Sequence, residues 1–384
     1  MKSPADFSML DPVVSSEPWD LYEVLHEQCP VYQMPETGAF VVTRYEDLRT
    51  VLKDHEAFSS DVGSLGGGQF AGIHRAILED GGGWPHVSTL QRTDPPIHDR
   101  YRRLLDRVFT ISRVRELTSH IDEVVDLLID RFVDHGECEF NDEFAMPMPG
   151  IIIAEQLGLD ADKVETFKKW ADAMLGAARA AVATEDEVRA NAEVELEAQL
   201  FLADIFESRR KQPSDDLMSA MVHSHGEDEE PLTMAELQNV MHQLITGGFE
   251  TTQTAINHGM WTLIRHPELQ NKLRKDESLI KPFVDEVLRW ESPVQFLARR
   301  AIRDVEVGGT LITKDSMVLV GYGAANRDKE KFESIKDIRA DYPDIVFVYD
   351  GEFLFEGRIE TQRDNPYQSK SFFILNFYSD VVGE

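Results

Sequence analysis

Cysteine is nearly absent. Only Cys29 and Cys138 occur in 384 residues, so neither a disulfide framework nor a four-thiolate metal site is available. Long apolar runs are missing too. No stretch approaches the roughly 18 residues of a membrane span, and the start, Met1-Lys2-Ser3-Pro4-Ala5-Asp6, has no apolar signal core. Positive charge is scarce: 39 Lys and Arg stand against 70 Asp and Glu, a formal net charge of −31. That balance works against extended phosphate contact with nucleic acid, which takes clustered cations, and against docking on an anionic membrane. The expectation is a soluble cytoplasmic protein that meets neutral ligands or basic surfaces.

What is present is a large core. Hydrophobic residues make up 42% of the chain, which argues against disorder, and the length fits two or three domain-sized units or one large fold. Trp19 to His26 reads as helical. Pro30–Met34 and Ala39–Thr43 read as a hairpin around Glu36-Thr37-Gly38, and residues 45–53 as a short helix. Residues 61–95 are rich in glycine and read as a long loop, a feature that is usually functional or mobile. From Pro95-Pro96 to about Trp290 apolar residues recur at three and four, as in Ile121, Val124, Val125, Leu128 and Ile129, predicting helices. Breaks are expected at Pro147-Met148-Pro149, at Pro213 and at Gly226–Glu230. Residues 305–312 and 317–320 look like strands. The fold class is therefore mainly α with small β-sheets.

The last 51 residues differ in character. Residues 334–384 hold 10 of the 35 aromatics and no Trp, His, Cys or Met. Ile345–Tyr349, Asp350-Gly351 and Phe353–Phe355 predict a hairpin. Residues 1–333 are read as one domain and 334–384 as an unassigned β-like tail.

Four constellations offer chemistry. Gly247-Gly248-Phe249-Glu250-Thr251-Thr252 lies inside an apolar helix expected from about Leu237 to Arg265. Interior glycines each cost roughly 1 kcal/mol against alanine, so something flat approaches the backbone there, or small residues pack two helices. Thr beside an acid can bond back into the preceding turn and relay a proton. Glu286-Val287-Leu288-Arg289 places an acid and an arginine at i, i+3, in isolation usually a surface pair. His98 and Arg102 share a helix face at i, i+4 and suit a carboxylate-bearing ligand, or form a solvated basic face. Arg299 and Arg300 precede a β-like stretch, and an edge strand is the simpler account. His223-Ser224-His225 and the acidic run Glu227–Glu230 read as solvated turns.

In this order and spacing, the four together resemble the cytochrome P-450 superfamily, the heme-thiolate monooxygenases, in its soluble bacterial form, over about residues 10–333. The resemblance implies a mostly α, triangular prism. It implies Glu250 and Thr251 as the acid–alcohol pair that delivers protons in oxygen activation, with Gly247 and Gly248 beside the cofactor. Glu286 and Arg289 match the E-x-x-R pair behind the heme. His98, Arg102 and Arg299 fall on positions that hold the heme propionates, and Ala324-Ala325-Asn326-Arg327-Asp328 matches the A-N-R-D segment. The implied activity is NAD(P)H-dependent oxygenation of a C–H bond in a small apolar substrate, with electrons from a ferredoxin or flavoprotein. Substrate contacts are expected from residues 61–92, 163–205, 293–298 and the Gly247 helix.

The family's F-x-x-G-x-x-x-C-x-G loop, whose thiolate ligates the iron, does not follow Asp328. Neither cysteine stands in its place, the last histidine is His266, and only tyrosines (Tyr342, Tyr349, Tyr367, Tyr378) remain there. Three accounts stay open: a monooxygenase whose C-terminal part was replaced, a heme-free partner or scaffold protein, and heme bound through tyrosine or water. Strongly reduced or absent activity is expected of the sequence as given.

Overall fold

Side-chain caps or prolines start several of the helices. The computed structural model describes residues 2–63, 70–158, 163–178, 183–226 and 229–332; the expected hairpin at 345–355 and the whole 334–384 tail lie outside them. In chain order the helices are α1 (Pro12–Ser16), α2 (Trp19–Gln28), α3 (Tyr45–Lys53), α4 (Ala71–Asp80), α5 (Ile97–Asp106), α6 (Ile111–Asp130), α7 (Pro147–Gln156), α8 (Val164–Ala178), α9 (Glu185–Lys211), α10 (Leu217–Val222), α11 (Met234–Gly248), α12 (Glu250–Arg265), α13 (Pro267–Lys275), α14 (Ile280–Glu291) and α15 (Tyr322–Ala325). The strands are β1 (Val31–Gln33), β2 (Phe40–Val42), β3 (Phe58–Ser59), β4 (Val294–Ala301), β5 (Val305–Val307), β6 (Thr310–Ile312) and β7 (Met317–Gly321). Mainly helical with small sheets is thus the observed class. The chain divides into two compact units, one of residues 2–62 with 254–332 and one of the described residues within 63–253.

The first unit is organised by a five-stranded sheet of order β1-β2-β7-β4-β3. The expected hairpin is there, with Val31 opposite Val42 and Gly38 at φ +74° in the turn, a conformation that favours glycine. β2 runs parallel to β7, with Phe40 opposite Val318. β4 is antiparallel to β7, with Arg299 opposite Val318, and β3 closes the edge with Phe58 opposite Ala301. Leu48 and Val51 of α3 pack with Phe40, Val42, Val318 and Val320 in one buried cluster. α14 buries Phe283, Val284, Val287 and Leu288, apolar at the spacing of one helical face, and ends at Ser292 in the left-handed region.

The second unit is helical, around a core that includes Leu104, Phe167, Trp170, Leu202, Phe206, Leu237 and Met241. α9, 27 residues long, opens with a capping box of Thr184 and Glu187 and carries acids in its first turn and Arg209-Arg210-Lys211 in its last. Both ends complement the helix dipole. α11 opens on the same device, Thr233 with Glu236.

Two expectations need correction here. Residues 61–95 are not one loop, because α4 lies within them. The glycines at its end are close-approach residues rather than slack: a Cβ on Gly83 would sit 2.7 Å from Gln199 Oε1 and 2.8 Å from Leu196 Cδ1, both on α9. At Pro147-Met148-Pro149 the chain starts a helix instead of breaking one. Pro147 stands in the first turn of α7, where its missing N–H costs nothing. The break at Pro213 is observed, since α9 ends at Lys211.

Candidate functional site

The apolar helix expected over 237–265 is divided. α11 ends at Gly248 and α12 begins at Glu250, with Phe249 between them at φ −86°, ψ −71°. Phe249 is buried and meets Phe167 edge-on at 5.5 Å between ring centres. Thr251 is buried, and its hydroxyl donates back to the Gly247 carbonyl, the back-bond that bends helices. A Cβ on Gly247 would meet no atom within 4 Å, so the backbone faces open space on that side. Close packing of two helices through Gly247 is therefore not what the glycine serves.

Glu286 and Arg289 are not a surface pair. Both are fully buried. Arg289 Nε and Nη2 each lie 2.6 Å from a different Glu286 oxygen, a two-pronged charge-assisted contact. Arg289 Nη1 donates to the Asn326 carbonyl at 2.5 Å. The A-N-R-D segment is anchored in three further ways. Asn326 Nδ2 donates to Ser292 Oγ at 2.9 Å. The Arg327 guanidinium lies 3.4 Å from the ring centre of Trp19 and 3.9 Å from that of Trp290 and donates to the Trp290 carbonyl. Asp328 accepts from the backbone N–H of Tyr45 at 2.9 Å. Burial lowers Arg327 to about 10.

His98 and Arg102 lie on α5, as their spacing implied. The His98 ring is 3.7 Å from the Asp99 carboxylate and Arg102 is 3.2 Å from Asp106. Arg299 lies on β4 in the other unit and donates to the Ala298 carbonyl at 2.9 Å. The remaining arginines of this stretch work as fasteners. Arg100 and the Tyr101 hydroxyl meet one oxygen of Glu236 at 2.7 and 2.8 Å. Arg103 and Arg107 pair with Glu229, so that acid is no merely solvated residue of its turn. His223 and His225 each meet a backbone carbonyl at 3.2 Å and are exposed.

Gly247 leaves room on one side for a flat group, whereas an iron-binding thiolate has no counterpart among the described residues. Burial pushes the Cys29 thiol up. Burial and then Glu143 and Glu139 push the Cys138 thiol up to about 11. Both environments disfavour the thiolate that binds iron, and no cysteine follows Cys138. The donor set does not fit a heme-thiolate centre.

A buried polar cluster went unnoticed in the sequence. Glu195 on α9, 1% exposed, has one oxygen 3.0 Å from His74 Nε2 and the other 2.7 Å from His86 Nε2. Burial alone would raise this carboxyl, but the imidazoles of His74 and His86, and the charge of His242, hold it well below the usual carboxylate range. His242 on α11 is lowered to about 4, chiefly by burial, with Glu195 opposing. The members are far apart in sequence and share no spacing pattern.

Residues 167–334 match the family model described as cytochrome P-450. The chain is 31% identical over 314 residues to 6-deoxyerythronolide B hydroxylase of Saccharopolyspora erythraea, covering 81% of this chain and 76% of that protein. It is likewise 31% identical over 344 residues to cytochrome P-450 monooxygenase PikC of Streptomyces venezuelae, covering 88% and 78%. Among solved structures it is similar to cytochrome P-450 CREJ in complex with (4-ethylphenyl) dihydrogen phosphate, with a TM-score of 0.76, 29% identity and coverage of 84% and 80%. The ligand-free structure of cytochrome P-450 TbtJ1 gives 0.76, 25% identity and coverage of 98% and 91%.

Proposed function

The chain belongs to the cytochrome P-450 family, bacterial monooxygenases whose cofactor is heme, and on that footing we propose that it has the scaffold of an oxygenase of small apolar molecules but lacks oxygenase activity in the sequence as given. The observation that carries this reading is the missing cysteine: from Glu139 to Glu384 there is none, so the thiolate that makes a heme iron an oxygenation catalyst has no donor.

What this chain's own residues supply supports the family half of the reading. Gly247 leaves a helix face open, and beside it Thr251 holds the Gly247 carbonyl. There Glu250 and Thr251 are the groups that hold and pass a proton. Gly248 follows Gly247 at the end of α11, and His98, Arg102 and Arg299 are the cations that match a heme's propionates. Glu286 and Arg289 are structural. The substrate of such a scaffold is a small apolar molecule. The electron donor is a ferredoxin or flavoprotein. No helix of the described residues is long and apolar enough to cross a membrane, in keeping with a cytoplasmic protein.

The test is the reduced-CO difference spectrum of the purified chain. No thiolate-type band is expected, and no turnover with a donor protein present. A thiolate-type band would overturn the proposal. A folded chain that takes up no heme would favour the heme-free partner or scaffold.

A further inference from the structure

The buried cluster around Glu195 has no part in the proton relay, the E-x-x-R pair or the cationic positions. Its donors come from three separate segments: His74 from α4, His86 from the stretch after it, and Glu195 from α9. One nitrogen of each ring and one carboxylate oxygen lie within 4.8 Å of one another. We propose that His74, His86 and Glu195 bind one divalent transition-metal ion of the zinc class, which fastens residues 71–86 to α9.

Three observations support the assignment. Two imidazoles and one carboxylate are a donor set that zinc accepts while keeping a fourth position open. Secondly, His86 is nearly enclosed, its side chain 8% exposed, yet neither ring nitrogen makes a directed hydrogen bond. Its one close polar neighbour is the Glu195 carboxylate, 2.7 Å from Nε2. A buried imidazole without a directed bond is costly, and coordination would satisfy it. Thirdly, the carboxylate is oriented from outside. Gln199 Nε2 donates to Glu195 Oε1 at 3.2 Å, and Gln199 is itself fixed by the backbone N–H and carbonyl of Trp84 at 2.7 and 3.2 Å. Such outer partners set the direction of metal ligands.

A fourth ligand has room. A cavity of about 10 Å³ adjoins the cluster, lined in part by His86, Arg92, Asn239 and His242, which is the space of one water. His242 Nε2 is buried without a hydrogen bond, and its ring lies 5.2 Å from that of His86. A metal-bound water placed between them would donate to it. The charge also balances better: an enclosed carboxylate is costly unless its charge is compensated, and a divalent ion compensates it.

The experiment uses the full chain without a histidine tag, stripped with chelator and titrated with Zn²⁺ by calorimetry and with Co²⁺ by visible absorption. One ion per chain is expected, with Co²⁺ bands of low coordination number. His74→Ala and His86→Ala should each weaken binding by at least about 100-fold, the upper end of what even an outer partner's loss costs, while His223→Ala with His225→Ala should leave it unchanged. No saturable one-to-one binding by the unaltered chain would overturn the assignment, whatever the variants do. So would binding that survives the double variant His74→Ala with His86→Ala, or that vanishes when His223 and His225 are replaced.

Discussion

Arg289 grips both oxygens of Glu286 and, with its remaining nitrogen, the carbonyl of Asn326. One guanidinium thereby ties α14 to the A-N-R-D segment, and both charges are shut away from water. Removing one partner of such a pair strands the other. Arg289→Ala is expected to destabilise the chain by about 3–5 kcal/mol, read from chemical denaturation. The double variant Glu286→Leu with Arg289→Met should cost less than the single one. A loss under about 1 kcal/mol for Arg289→Ala would show that the pair is not the fastener described.

Arg327 is held between Trp19 and Trp290. Lysine keeps the charge but has no flat face to stack and no fork to share with the Trp290 carbonyl. Arg327→Lys is expected to cost about 1–2 kcal/mol, seen as a lowered melting temperature. An unchanged melting temperature would contradict the stacking role.

His258 supplies a pH dependence. It is buried, and burial first, then Arg327, lowers it to about 4 from 6.5. The group is neutral in both states above pH 6.5, so its contribution is intact there. As pH falls from about 6.5 to 4 the unfolded chain takes the proton first and stability drops, by at most about 3 kcal/mol. Urea midpoints between pH 4 and 8 should follow this slope, and His258→Leu should flatten it. An equal slope in the variant would remove His258 as the source.

Thr251→Val removes the hydroxyl that bonds the Gly247 carbonyl while keeping the shape. Because back-bonding of this kind bends helices without adding much stability, a change below about 1 kcal/mol is expected in thermal unfolding. A larger loss would make Thr251 chiefly structural.

Most secondary structure was legible because local chemistry decides it. The turn at Gly38, the periodic faces of α6 and α14 and the end of α9 before Pro213 need no distant partner. The errors fell where tertiary contact decides. Gly81 and Gly83 look like loop residues until α9 is placed against them. Glu286 and Arg289 look like a surface pair, since burial cannot be read from i, i+3 spacing. The family motifs supplied that burial indirectly. The cluster of His74, His86 and Glu195 left no trace, because its members meet only when α4 and α9 pack.

The sheet of the first unit also sets an order of events during synthesis. β2 has its partner β7 near the far end of the described chain, with Val42 opposite Val320. At roughly 5–20 residues per second on the ribosome, β2 waits on the order of 15–55 s for β7 to emerge. The helices from α4 to α11 lie between these strands in the chain and find their partners earlier. The nascent β1–β2 hairpin therefore stays an open edge for most of translation, and this is where chaperone contact would concentrate.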